Sequence, residues 1–223
     1  MRGATHPLYR ASLRHRRCRR RALSLNAECV VSVPESCHHT PRVLLPLAEG
    51  FEELEAVTII DVLRRADVEV VVAGLRDGPV RGSRGTVLLP DAPLDAVFGE
   101  AFDMLVLPGG MPGVRHLRED PRIGALVQRF HEEARYTAAI CGAPSVLAAQ
   151  GLLAGRRVTS NPKFKDEVAR PDVHYREEAV VDDGALITSR GPGTAIAFAL
   201  ALVEKLTGRL RRAEVERGLV LMH

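Results

Sequence analysis

The sequence predicts an α/β fold in which a doubly wound, mostly parallel sheet carries helices on both faces. Three observations predict it. Short and nearly continuous apolar runs at 43–47, 68–75 and 104–107 read as strands covered on both sides. Segments with helical spacing, at 51–66 and 121–134, alternate with them, as parallel strands joined by crossovers require. Gly- and Pro-rich turns follow the strands, where open sheets of this class bind ligands.

Residues 1–41 come first and differ from the rest. They show no sustained period and are rich in Arg, His, Ser and Pro, which predicts a disordered, Arg-rich extension ahead of a folded domain at 42–223. Eight arginines precede the first acid, Glu28; without them 23 basic residues face 28 acidic ones, a net of −5. The formal charge of +3 therefore describes the extension, and nucleic acid is not an expected partner of the folded domain. An organelle transit peptide or a basic nucleic-acid-binding run are the other readings of this stretch. Cys18, Cys29 and Cys37 lie here, and Cys29 with Cys37, His38 and His39 matches no standard zinc spacing. With a single cysteine in the patterned region, the sequence predicts a reducing, cytoplasmic location, or an organellar one if the extension is a transit peptide. No apolar run is long enough for a membrane span, so no membrane association is expected.

The domain opens with a strand at 43–47 and a helix at 51–66, and a second strand at 68–75 ends in the turn Asp77-Gly78-Pro79. A further strand is expected at 84–89, in a small hairpin. The strand at 104–107 runs into Pro108-Gly109-Gly110-Met111-Pro112-Gly113, a loop lean enough for backbone to approach a ligand; a plain turn is the alternative. The helix at 121–134 turns Ile123, Leu126, Val127 and Phe130 inward. After the strand at 136–140 and its helix come short β segments at 157–159, 174–175, 179–181 and 186–188, with Asp182-Asp183-Gly184 as the last hairpin turn. Thr194 is the expected cap of an apolar helix that Gly208 ends, and a short charged helix and an apolar tail finish the chain.

Cys141 stands where the 136–140 strand meets a helix. Such a turn lifts its residue to the carboxyl end of the sheet, and the free amides that follow favour negative charge. The thiol is therefore expected to ionise more easily than a free one, against the alternative of a buried, inert cysteine. Glu55 is the second candidate. Phe51, Glu55, Ile59, Val62 and Ala66 lie along one line of the first helix, and Glu55 is the only charge on it. An acid facing a sheet has its pKa raised by desolvation, whereas on a wet groove it would be an ordinary surface acid. Glu52 and Glu53 fall off that line and are expected in solvent. If the loops converge, a protonated Glu55, the Cys141 thiol and the amides of Gly109, Gly110 and Gly142 make a nucleophile, an acid and an anion pocket. G-x-G-x-x-G and Walker spacings are both missing, so no cofactor and no metal are expected.

These motifs occur in a fixed order: Gly50-Phe51-Glu52-Glu53-Leu54-Glu55, Val71-Val72-Ala73-Gly74-Leu75, Leu107-Pro108-Gly109-Gly110, Ala139-Ile140-Cys141-Gly142-Ala143-Pro144 and Thr188-Ser189-Arg190-Gly191-Pro192-Gly193-Thr194. Over about 42–222 the chain resembles the DJ-1/PfpI family, in its DJ-1-like branch. The resemblance implies a flavodoxin-like α/β sandwich that forms a homodimer. It implies Cys141 as reactive thiolate, Glu55 as its protonated partner, oxyanion-binding amides at Gly110 and Gly142, and a site arginine at Arg84. Two positions depart from the family. Gly142 stands where the peptidase-like branch has histidine, which argues against a Cys-His protease. Asn161, in Ser160-Asn161-Pro162, stands where a histidine near the thiol is common, which leaves His116, His131 and His174 as the other histidines to consider. The implied activity is glyoxalase or deglycase chemistry on a small 2-oxoaldehyde such as methylglyoxal, or on its early adducts with protein side chains, without glutathione. A redox-sensing stress protein or chaperone, with Cys141 as the oxidised group, is the alternative, and a peptidase or amidase a third.

Overall fold

The computed structural model describes residues 39–221; the readings placed on residues 1–38, including the zinc and transit-peptide alternatives, lie outside them. The domain is built from β1 (Arg42–Leu47), α1 (Glu53–Arg65), β2 (Glu69–Gly74), β3 (Val80–Arg81), β4 (Val87–Leu88), β5 (Ala92–Pro93) and α2 (Leu94–Val97). There follow β6 (Met104–Leu107), α3 (Gly113–Glu119), α4 (Pro121–Glu132), β7 (Tyr136–Ile140), α5 (Pro144–Ala149) and β8 (Arg157–Val158). The last part holds α6 (Lys165–Val168), β9 (His174–Tyr175), β10 (Val180–Asp183), β11 (Leu186–Ser189), α7 (Ala195–Thr207) and α8 (Arg209–Gly218), with 3-10 turns at Pro162–Phe164 and Pro192–Thr194.

The main sheet has the order β10-β11-β7-β6-β1-β2-β5. All its neighbours run parallel except the β10–β11 edge hairpin. This is the predicted doubly wound α/β fold. Its strands are apolar throughout because both faces are covered, and every residue of β6 is buried. On one face Ile59 and Leu63 of α1 pack with Phe198, Leu202 and Val203 of α7 against Val43, Leu45 and Val106. On the other, Ile123, Leu126 and Phe130 of α4 and Val146 and Leu147 of α5 pack against Leu44, Leu105 and Leu107. Each large apolar side chain so removed from water contributes about 1.5–3 kcal/mol.

From β1 the chain first builds outward through β2 to β5, then returns to add β6, β7 and β11 on the other side of β1. The carboxyl ends of β1, β6, β7 and β11 are thereby brought side by side, at the point where strand order reverses.

Several local expectations are corrected. The strand expected at 84–89 is only β4, because the Glu53 carboxylate accepts from Ser83 Oγ (3.1 Å), Arg84 N (2.6 Å) and Thr86 N (3.3 Å) and so holds that stretch as a turn. Glu53 is thus no solvated bystander. The last hairpin turns at Gly184 and Ala185 rather than at Asp182-Asp183-Gly184, since Asp183 still pairs with Leu186. Thr194 stands at the N-cap of α7 as expected, but its side chain makes no capping bond: its hydroxyl donates to the Gly191 carbonyl (2.9 Å) and accepts the Gly191 N–H (3.1 Å), closing the preceding turn on itself. The segments β5, α2 and α3, too short for a periodic signal, were not expected.

Candidate active site

Three strand ends and one flanking segment deliver the predicted groups. Glu55 comes from the helix after β1, Gly109 and Gly110 follow β6, Cys141 follows β7, and Asn161 follows β8. A glycine that the sequence reading did not single out, Gly191, comes from the turn after β11.

Three acids begin α1, and each does different work. Glu52 is the N-cap, its carboxylate accepting the Glu55 N–H at 2.8 Å. Glu53 ties down the β3–β4 turn. Glu55, capped by the first and one turn into the helix, points inward and is 0% exposed, with Phe51, Ile59, Val62 and Ala66 of the same line also buried. Its Oε2 accepts the Gly109 N–H at 2.8 Å, and its Oε1 has no hydrogen-bond partner among the described residues.

Cys141 is held in a left-handed backbone conformation, φ 64°, by bonds on both sides of it. Its N–H donates to the Ser189 carbonyl (2.9 Å), and its own carbonyl accepts from Asn161 N (2.8 Å). The half-buried sulfur receives the Asn161 side-chain amide at 3.5 Å. Acid and thiol meet over Gly109: a Cβ there would lie 2.6 Å from Glu55 Oε2, 2.6 Å from Cys141 Cβ and 3.2 Å from Cys141 Sγ. Glycine is the residue that leaves this space open. Gly191 walls the same pocket, the position of its absent Cβ being 3.9 Å from Cys141 Sγ and 4.0 Å from Glu55 Oε1. On its outer side Gly191 lines an open groove of about 450 Å³ with Glu177 and Arg190.

Burial pushes the Glu55 carboxyl up to about 7, and Glu52 nearby adds to the rise, while the Gly109 N–H and the thiol oppose it. Burial also pushes the Cys141 thiol up to about 12, followed by the charge and acceptor bond of Glu55; the Gly142 N–H and the Asn161 amide act the other way. The expectation of a thiol more acidic than a free one is therefore corrected for the state in which Glu55 is ionised. The two shifts have one cause: a dry pocket accommodates one negative charge between carboxyl and thiol, with one proton retained. When that proton sits on Glu55, its repulsion of the sulfur disappears and an O–H donor replaces it.

A sequence model of the DJ-1/PfpI family matches residues 41–205. The chain belongs to the DJ-1/PfpI family. It is 42% identical over 181 residues to the Drosophila melanogaster protein dj-1beta, covering 81% of this chain and 97% of that protein. The crystal structure of that relative superposes with a TM-score of 0.80, over 83% of this chain and all of that one. A Caenorhabditis elegans protein named glutathione-independent glyoxalase DJR-1.2 is 40% identical over 166 residues, covering 74% of this chain and 88% of that protein. An oxidized Toxoplasma gondii DJ-1 structure is 37% identical with a TM-score of 0.78, over 82% of this chain and all of that one.

Within this family fold, the remaining predicted residues separate. Gly142 directs its N–H at the sulfur, and the Gly110 N–H has no acceptor among the described residues. The Gly109 N–H is already taken by Glu55. Gly110 has φ 98°, and a Cβ there would strike Glu52 N at 2.3 Å and Gly50 O at 2.5 Å, so the loop turns as it does only with glycine. Arg84 is exposed at the β3–β4 turn, held through its backbone by Glu53, and makes no hydrogen bond to Cys141 or Glu55. His116 bonds the Glu49 carbonyl, His174 lies in β9 and His131 near the end of α4; none bonds Cys141 or Glu55. Gly191 had a readable signal, a Gly-Pro-Gly turn after a strand like the one at 108–113. Phe164, whose ring lies 2.7 Å from where a Gly142 Cβ would sit, had none.

Proposed function

We propose that the protein is a cysteine-dependent glyoxalase acting without glutathione on methylglyoxal-type 2-oxoaldehydes and on their early adducts with protein side chains, in defence against carbonyl and oxidative stress. The observation that carries this reading is the buried carboxyl, one oxygen unpartnered among the described residues, meeting over Gly109 a thiol that the Gly142 N–H and the Asn161 amide face. The Caenorhabditis elegans relative's name supports it.

The chemistry follows from the groups present. Cys141 Sγ attacks the aldehyde carbon, the C–S bond forms, and the carbonyl pair moves to oxygen, which accepts the Gly110 and Gly142 N–H groups and takes the pair's retained proton. The Glu55 carboxylate then removes the hydrogen from that carbon as a proton and returns it to the neighbouring carbon, while the hydroxyl proton of the first carbon passes to the neighbouring carbonyl oxygen, converting the hemithioacetal to the thioester of a hydroxyacid. Water cleaves the C–S bond, releasing the acid and the thiol. The aldehyde carbon is oxidised and the ketone carbon reduced, so no external oxidant is consumed. The outer groove beside Gly191 gives an adduct's side chain somewhere to lie.

The test is hydroxyacid formation from methylglyoxal without glutathione by wild type, Cys141→Ser and Glu55→Gln. Undiminished turnover by Cys141→Ser would sink the proposal. A second reading, Cys141 as an oxidation sensor, is favoured by the half-buried sulfur with donors on two sides; no turnover together with facile peroxide oxidation of Cys141 would select it. We further propose a homodimer, supported by exposed Leu54 and Val57 on α1 and Val87 and Leu89 on or beside β4. A monomer in sedimentation would refute it.

A further inference from the structure

Asn161 closes the site from the segment after β8, and its side chain has one orientation available. Oδ1 accepts the Lys163 N–H at 3.1 Å, which leaves Nδ2 facing Cys141 Sγ at 3.5 Å. The main chain is tied to the same residue, Asn161 N to Cys141 O at 2.8 Å. Ser160, just before it, is pinned by the Tyr175 hydroxyl, which donates to the Ser160 carbonyl at 3.1 Å. Flipping the amide would set Nδ2 against the Lys163 N–H, losing that bond, and would turn Oδ1, an acceptor, toward a sulfur that carries negative charge when it reacts.

We propose that Asn161 is a positioning residue, a fixed donor that stabilises negative charge on the Cys141 sulfur and exchanges no proton with it. The inference rests on the reading of Cys141 as a reactive centre. An imidazole in this place would donate, accept and change charge near neutrality; the amide Nδ2 that faces the sulfur only donates and keeps its charge. The other elements packed against the sulfur offer Glu55 from α1, with Glu52 behind it, Gly109 from the loop after β6, Gly142 before α5 and Gly191 after β11. Arg190, next to Gly191, spends its guanidinium on the Glu177 carbonyl, and Lys163 is exposed. Among the described residues Glu55 is therefore the one titratable side chain against the thiol.

The deciding variant is Asn161→Asp, which keeps an acceptor for the Lys163 N–H and the side-chain shape but puts an acceptor where the sulfur has a donor. The readout is the rate of Cys141 alkylation by iodoacetamide from pH 5 to 10, which follows the thiolate fraction even when it is small. Asn161→Asp is expected to slow alkylation by about tenfold or more at every pH. Asn161→His is expected to add an inflection between about pH 6 and 7. Wild-type rates for Asn161→Asp, with unchanged circular dichroism, would overturn the inference, as would a single unchanged inflection for Asn161→His. A wild-type thiol inert over the whole range would overturn the reactive-centre reading and this inference with it. Absent methylglyoxal turnover with the alkylation order intact would overturn only the glyoxalase proposal.

Discussion

Glu55 takes the Gly109 backbone N–H on one carboxyl oxygen at 2.8 Å and leaves the other with no partner among the described residues, in a position 0% exposed. One bond does not hold an ionised carboxylate comfortably out of water, and the rise of Glu55 from 4.5 to about 7 is the consequence.

That rise makes a stability prediction. The folded state binds more protons than the unfolded chain between about pH 4.5 and 7, so stability falls as pH rises through this window. Ionising Glu55 in place costs about 3 kcal/mol. Glu55→Gln should match wild type near pH 4.5 and exceed it by up to about 3 kcal/mol at pH 8, in urea unfolding at each pH. A gap that does not widen with pH would contradict the buried-acid account.

Turnover should carry the same signature. As the pair loses its first proton near pH 7, a base becomes available for the hydrogen shift, so kcat for methylglyoxal should rise through that pH and then level. Glu55→Gln should lose the inflection and about 10²–10⁴ of kcat. A wild-type profile flat from pH 5 to 9 would argue against Glu55 as the base.

Gly191→Ala tests the pocket's free space. The added methyl would sit 3.4 Å from Asn161 Nδ2, 3.9 Å from Cys141 Sγ and 4.0 Å from Glu55 Oε1. Those are tolerable contacts on an extended backbone, so the melting temperature should stay near wild type while turnover drops about tenfold or more through displaced substrate. Unchanged kinetics would show that substrate does not use this wall.

Gly142→Ala should behave differently, since its Cβ would lie 2.7 Å from the Phe164 ring. Overpacking of this kind costs about 1–3 kcal/mol. Combining it with Phe164→Leu should recover part of the loss in thermal unfolding, whereas additive losses would mean that the ring is not the obstacle.

How far the site was legible depended on whether the signal was local. Glu55 could be read because spacing along one helix places it on an apolar line, and Cys141 because a strand-to-helix junction is a short-range pattern. Alternating strands and helices implied a doubly wound, mostly parallel sheet, but not the strand order that brings the two together. Beyond that, partners decided matters. Whether the Gly109 amide meets a substrate or Glu55 depends on two segments 54 residues apart. Glu53 reads as a surface acid until the turn that it holds is in place. The direction of the thiol's shift was misread because helix-start amides are visible in a sequence, while the charge of a neighbour across the sheet and the depth of burial are not.

The left-handed backbone at Cys141, φ 64°, also bears on the protein's durability. A side chain there costs about 1–2 kcal/mol that glycine would not incur. Cys141→Gly should therefore tend to survive heating better than the active form while doing nothing to aldehydes. Any selection that scores only heat survival or soluble yield will enrich such silent molecules, and a screen for hardier variants has to count living thiols as well as intact protein.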